Sequence, residues 1–260
     1  MDFPNNRNPI ILIISLILLL IAATMYSKAE HMKQFIDYAC NIAKKEQFDS
    51  KATIGINEDS NRNSDDTKTK DKNFQDPFSG GGMSRAEKKF LASVYEKSNS
   101  VFEWGMGSSS VLANYIGVKK LVSVDNVEQW VQNTKNQVNN PSYKFNFVNI
   151  GDVVEWGRPK DTAPKPSWLE YSMAVQQEQE PFDVYLVDGR FRMACAFQAL
   201  LHGRDDSFVM IHDFERDYYQ VVLEVTEKIE QVGKLVQLRK TADDEKIREL
   251  YEEYKFNFNK

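Results

Sequence analysis

From Met83 to the C-terminus, short apolar runs alternate with segments of helix length, and this alternation constrains the fold more than any other feature of the chain. The apolar runs fall at 101–104, 121–124, 143–150, 182–187, 208–211 and 235–238. Helical patterning covers 84–97, 108–116, 127–138, 191–202, 216–232 and 243–254. Ser84 and Glu87 form a capping box at the first helix, and Gly117 and Gly233 stand where helices should stop. Strands separated by helices build βαβ units with right-handed crossovers. The expectation for residues 83–260 is therefore an α/β domain with a doubly wound, mostly parallel sheet.

The N-terminal third reads differently. After a short tail (1–9), residues 10–26 carry an apolar run interrupted only by Ser15 and reaching Thr24 and Tyr26, enough to span a bilayer as a helix. The reading is a retained single-pass anchor. Its rival is a cleaved signal peptide ending at Ser27-Lys28-Ala29. Lys28, Lys33, Lys44 and Lys45 follow the run and only Arg7 precedes it, which favours a cytoplasmic C-terminal part. Residues 27–48 read as a juxtamembrane helix, and 49–82, polar until the glycines Gly80 to Gly82, as a flexible linker.

Composition excludes several classes. A net charge of -5 leaves no general basic face for nucleic acid. Two cysteines, Cys40 and Cys195, cannot make a disulfide scaffold. Three histidines, His31, His202 and His212, limit any histidine metal site to a mixed one.

In doubly wound sheets ligands sit beyond the carboxyl ends of the strands. The first strand ends in Glu103-Trp104-Gly105-Met106-Gly107-Ser108-Ser109-Ser110, and the second in Asp125-Asn126, with Asp125 twenty residues past Gly105. The glycines permit a tight turn and close backbone approach; the acid suits ribose hydroxyls. Ser110 stands where a dinucleotide fingerprint wants its third small residue, and no Gly-Lys-Ser/Thr follows, so neither a dinucleotide site nor a P-loop is indicated.

On these residues the chain resembles the class I S-adenosylmethionine (SAM)-dependent methyltransferases, whose fold is a Rossmann-like sheet. The resemblance implies cofactor contacts from Glu103, Gly105, Gly107, Ser108, Ser109, Asp125 and Asn126, from Asp152 after the third strand, and from Asp188 after the fourth. The segment Val187-Asp188-Gly189-Arg190-Phe191-Arg192, with His212-Asp213 after the fifth strand, is similar to a methyltransferase-like family within that group. Methyl transfer to a hydroxyl or amine calls for a base, and of the strand-end candidates Asp188, His212 and Asp213 the histidine has the most suitable ordinary pKa, with Asp213 orienting it or binding substrate. Trp156, Tyr171, Arg190 and Arg192 are the expected substrate-binding residues. Mg2+ held by Asp188 and Asp213 is an alternative arrangement, opposed by Phe214 where such families carry a further Asn or Asp. The reading is a membrane-anchored, SAM-dependent O-methyltransferase acting on a small molecule or glycan, with a secretory-pathway membrane as the analogous setting. A catalytically silent SAM-binding scaffold and an NAD(P)- or nucleotide-sugar-dependent enzyme are the alternatives.

Overall fold

A computed structural model describes residues 76–138 and 140–259. The tail, the apolar run, the juxtamembrane helix and most of the linker lie outside the described residues. Among the described residues no helix is long and apolar enough to cross a membrane.

The capping box forms as expected: the Ser84 hydroxyl accepts from Glu87 N–H and the Glu87 carboxylate accepts from Ser84 N–H, opening α1 (Arg85–Tyr95). Then follow β1 (Ser100–Trp104), α2 (Ser108–Ile116), β2 (Lys120–Asp125), α3 (Glu128–Gln137) and β3 (Tyr143–Phe147). The long connection after β3 holds a small hairpin of β4 (Val153–Val154) and β5 (Arg158–Pro159), then α4 (Pro166–Ser172). The chain continues through β6 (Val184–Val187), α5 (Arg192–His202), β7 (Phe208–Ile211), β8 (Thr226–Val232), β9 (Leu235–Lys240) and α6 (Asp244–Tyr254), which Asp243 caps.

The seven-stranded sheet runs β3-β2-β1-β6-β7-β9-β8. The first five strands in that order are parallel; β9 runs antiparallel to β7, and β8 antiparallel to β9. Both faces are covered. Val101, Leu121, Val184, Leu186 and Met210 pack against α1 and α2, while Phe102, Trp104, Tyr185, Val187 and Ile211 pack against α4, α5 and α6. Buried parallel strands read as continuous apolar runs for this reason.

Two expectations fail. Residues 216–232 are not one long helix: a 3-10 stretch (Asp217–Glu224) gives way to β8. Val221, Val222 and Val225 mimic helical spacing, but Gly233 (φ +57) and Lys234 make a two-residue turn that pairs Val232 with Leu235. β8 is the sheet edge, and its exposed Glu227, Lys228 and Glu230 suit that place. The third strand stops at Phe147, short of Ile150.

Candidate active site

Strand β1 lies between β2 and β6, so the chain crosses in opposite directions on its two sides. A cleft of about 770 Å³ opens at the carboxyl ends of β1, β2, β6 and β7. Gly105 and Gly107 form its floor. Gly105 sits at φ +86, and a Cβ there would stand 2.8 Å from the backbone nitrogen of Gly189. Gly107 has φ +146, a conformation open to glycine. Next comes the first turn of α2, where Ser108 and Ser109 line the cleft and the backbone N–H groups have no carbonyl one turn earlier.

Asp125 ends β2 and also lines the cleft. One carboxylate oxygen accepts from Met106 N–H (3.1 Å) and the other from Val127 N–H (2.8 Å), so the acid braces the glycine turn as well as facing the cavity. Burial pushes its pKa from 3.8 up to about 6 against the help of those N–H groups. Asn126 beside it donates to the Gly157 carbonyl (2.6 Å) and ties the β4–β5 hairpin to the cleft wall.

Glu103 does not face the cleft. Phe102 and Trp104 point to the α5 face, which sends Glu103 to the α1–α2 face. It is fully buried and accepts from the hydroxyls of Tyr95 (2.9 Å), Ser110 (2.5 Å) and Ser123 (2.6 Å). Burial raises its pKa despite those donors. It braces the glycine turn from beneath and is not among the residues that line the cleft. Asp152 also departs from expectation: it lies exposed in the turn before β4, away from the cleft, where its carbonyl accepts from Lys160 N–H.

The β6 and β7 ends bring together a charged cluster. Asp188 lines the cleft with its side chain 27% exposed; its Oδ1 meets His212 Nδ1 (3.0 Å) and Arg192 (3.1 Å). Burial opposes its ionisation, but His212, Arg192 and Arg190 outweigh that and hold its pKa below the usual value. His212 is 4% exposed. Its Nε2 makes no hydrogen bond and looks toward Glu87 of α1 at 3.7 Å. Burial lowers the imidazole pKa, yet the Asp188 hydrogen bond and the Asp188 and Asp213 charges raise it overall. The ring sits between carboxylates on both nitrogens, so it is not the free base expected from the sequence.

Arg192 lines the cleft and also clamps the cluster together. Its guanidinium bridges Asp188 and Asp213 (3.2 Å) and donates to the Gly189, Asp188 and His212 carbonyls. Asp213, held at φ +58, pairs in addition with Arg216 (2.7 Å). With Arg192 between the two acids, the pair does not fit Mg2+, and among the described residues no group of three His, Cys, Asp or Glu could hold a metal.

Of the other expected substrate contacts, Trp156 does line the cleft, 73% exposed and at φ +61. Arg190 lines it as well. Tyr171 does not: it is fully buried beneath Gly189, and its carbonyl accepts from Trp104 Nε1. Several residues in or beside the cleft went unread in the sequence. Gly81 and Gly82 belong to the cleft wall rather than to the linker, held there by Lys88, whose ammonium donates to the Ser79 and Gly80 carbonyls. Trp130 of α3 lines the cleft opposite the hairpin side of Asn126. Glu87, a capping residue by pattern, also faces His212.

No family model and no curated protein matches the sequence. Solved structures do. A methyltransferase-like protein from Silicibacter pomeroyi is similar with a TM-score of 0.58 and 25% identity, over 66% of this chain and 94% of that one. The O-methyltransferase TomG from Streptomyces achromogenes gives 0.42 and 14%, over 62% and 82%. A ribosomal protein L11 methylase from Lactobacillus delbrueckii subsp. bulgaricus gives 0.38 and 13%, over 60% and 80%. A seven-stranded sheet with reversed end strands, a glycine turn after β1 and an acid after β2 define a SAM-type cleft. The chain belongs to the class I SAM-dependent methyltransferase superfamily. Within it, the described domain is similar to nearly the whole of the Silicibacter methyltransferase-like protein.

Proposed function

We propose that this cleft binds SAM and directs its methyl group to a hydroxyl of a small molecule or glycan, with residues 10–26 holding the chain to a membrane. The observation that carries the reading is the juxtaposition of the Gly105–Gly107 floor with Asp125: a backbone surface bare of side chains, beside a carboxylate with lone pairs to spare. These residues fit the cofactor. Asp125 would hold the ribose hydroxyls, the α2 N-terminus would take the cofactor's carboxylate, and Asn126 and Trp156 would lie on the side of the base.

Bound SAM supplies an activated methyl group, transferred by in-line displacement. The protein's share is alignment and disposal of the acceptor's proton. Asp188 and Asp213 both line the cleft, and Asp188 takes that proton. His212 and Arg192 fix its orientation and keep it ionised. Asp213 is committed to Arg192 and Arg216.

The test is calorimetric titration of SAM and of NAD into the full-length protein in mild detergent. Micromolar SAM binding with no NAD binding supports the reading; a folded protein that ignores SAM ends it. Carbonate extraction of membranes from cells expressing the chain tests the anchor: release into the supernatant refutes it.

A further inference from the structure

The charged cluster at the β6 and β7 ends balances except at one residue. Glu87, Asp188 and Asp213 face Arg192, Arg216 and the His212 imidazole through contacts of 2.7–3.7 Å, so each of the three acids has a basic partner. Arg190 is the fourth basic residue. It lines the cleft, its Nε is shielded from solvent without a hydrogen-bond partner, and among the described residues no carboxylate lies within ion-pair distance of it. Asp125 and Asp188 feel its charge without pairing with it: the first accepts from Met106 and Val127 N–H, and the second meets His212 and Arg192 through Oδ1. Arg190 as a whole is half-buried, and a shielded Nε–H left unmatched is costly unless something completes it. An arginine fork matches the two oxygens of a carboxylate or phosphate.

We infer that Arg190 receives an anionic group of the methyl acceptor, so that the substrate is a hydroxylated acid rather than a neutral alcohol. The inference rests on the SAM reading of the same cleft. The cofactor's own carboxylate is the other source of such a group. The N–H groups at the start of α2 already offer that carboxylate a place, which leaves Arg190 for a second anion.

The experiment follows the arginine Nε–H signals of the 15N-labelled full-length protein, with the Arg190 signal assigned by its loss in Arg190→Gln. The protein is first saturated with S-adenosylhomocysteine, then titrated with inorganic phosphate, para-hydroxybenzoate and para-hydroxybenzamide. The expected result is a saturable shift of the Arg190 signal with both anions and none with the amide. Arg190→Gln should weaken the anions by about 10–100-fold and leave S-adenosylhomocysteine affinity within twofold. An Arg190 signal that ignores both anions overturns the inference. So does a response abolished by S-adenosylhomocysteine, which would give Arg190 to the cofactor. If S-adenosylhomocysteine fails to bind while the anions still shift the signal, the cofactor reading falls and the anion site stands.

Discussion

Asp125→Asn should make the protein more stable and worse at binding its cofactor. Moving a buried carboxyl from 3.8 to about 6 means that its ionised form costs the fold about 3 kcal/mol at pH 7. The sign follows from proton uptake. Below pH 3.8 the group is neutral folded and unfolded, and it costs nothing. Between 3.8 and about 6 the folded state holds the proton more tightly, so stability falls as pH rises; above about 6 the loss is complete. Asparagine never ionises. It keeps one acceptor oxygen but leaves Met106 N–H or Val127 N–H unmatched, at about 0.5–1.5 kcal/mol. The net gain at pH 7 is about 1.5–2.5 kcal/mol, shrinking to zero or below near pH 4. Urea unfolding of the full-length protein by tryptophan fluorescence measures it cleanly, because all four tryptophans, Trp104, Trp130, Trp156 and Trp168, lie in the described domain. SAM affinity should fall about 10–150-fold with the loss of charge-assisted hydrogen bonds. A variant destabilised at pH 7, or one whose stability difference ignores pH, refutes the reasoning.

Gly105→Ala forces a side chain onto a left-handed backbone and into the Gly189 backbone, and should cost about 2–5 kcal/mol by urea unfolding; a cost under 1 would mean the two loops are not packed as described. Glu103→Gln should change SAM affinity much less than Asp125→Asn does, and equal losses in calorimetry would return Glu103 to the cofactor. Methyl transfer should hold steady from pH 6 to 8, since Asp188 ionises below its usual range. A rate that climbs through a value above 6.5 would instead make neutral His212 the working base. Asn126→Ala frees the hairpin from Gly157 and should raise the SAM KM with little change in kcat, while the opposite split would place Asn126 at the chemistry.

Much of this site was legible because an α/β sheet delivers its ligand residues at strand ends. Gly105, Gly107, Asp125, Asp188 and His212 each follow an apolar run directly, and each lines the cleft. Parity along β1 explains the failure at Glu103: strand neighbours face opposite sides, so a core set by Phe102 and Trp104 turns Glu103 toward α1 and α2. That parity was present in the sequence, whereas the partners Tyr95, Ser110 and Ser123 needed the fold to identify them. Asp152 and Tyr171 fall in the connection after β3, which has no run of strand or helix long enough to fix which side chains turn inward.

Arg190 and Arg192 show where pattern ends and conformation begins. Two residues apart, they look equivalent in the sequence, and both were expected to meet substrate. Phe191 between them takes a left-handed conformation at φ +52, which costs an ordinary residue about 1–2 kcal/mol. Its ring is fully buried against Trp168 (5.4 Å between centroids) and Tyr171 (6.0 Å), and burying such a ring contributes about 1.5–3 kcal/mol. The burial thus offsets the strain, and the twist it holds separates the flanking arginines. Arg192 begins α5 pointing inward to clamp Asp188 and Asp213, while Arg190 stays on the cleft wall with no ion-pair partner among the described residues. Tyr171 therefore serves the site from beneath, by supporting the aromatic packing that sets the two arginines to different tasks.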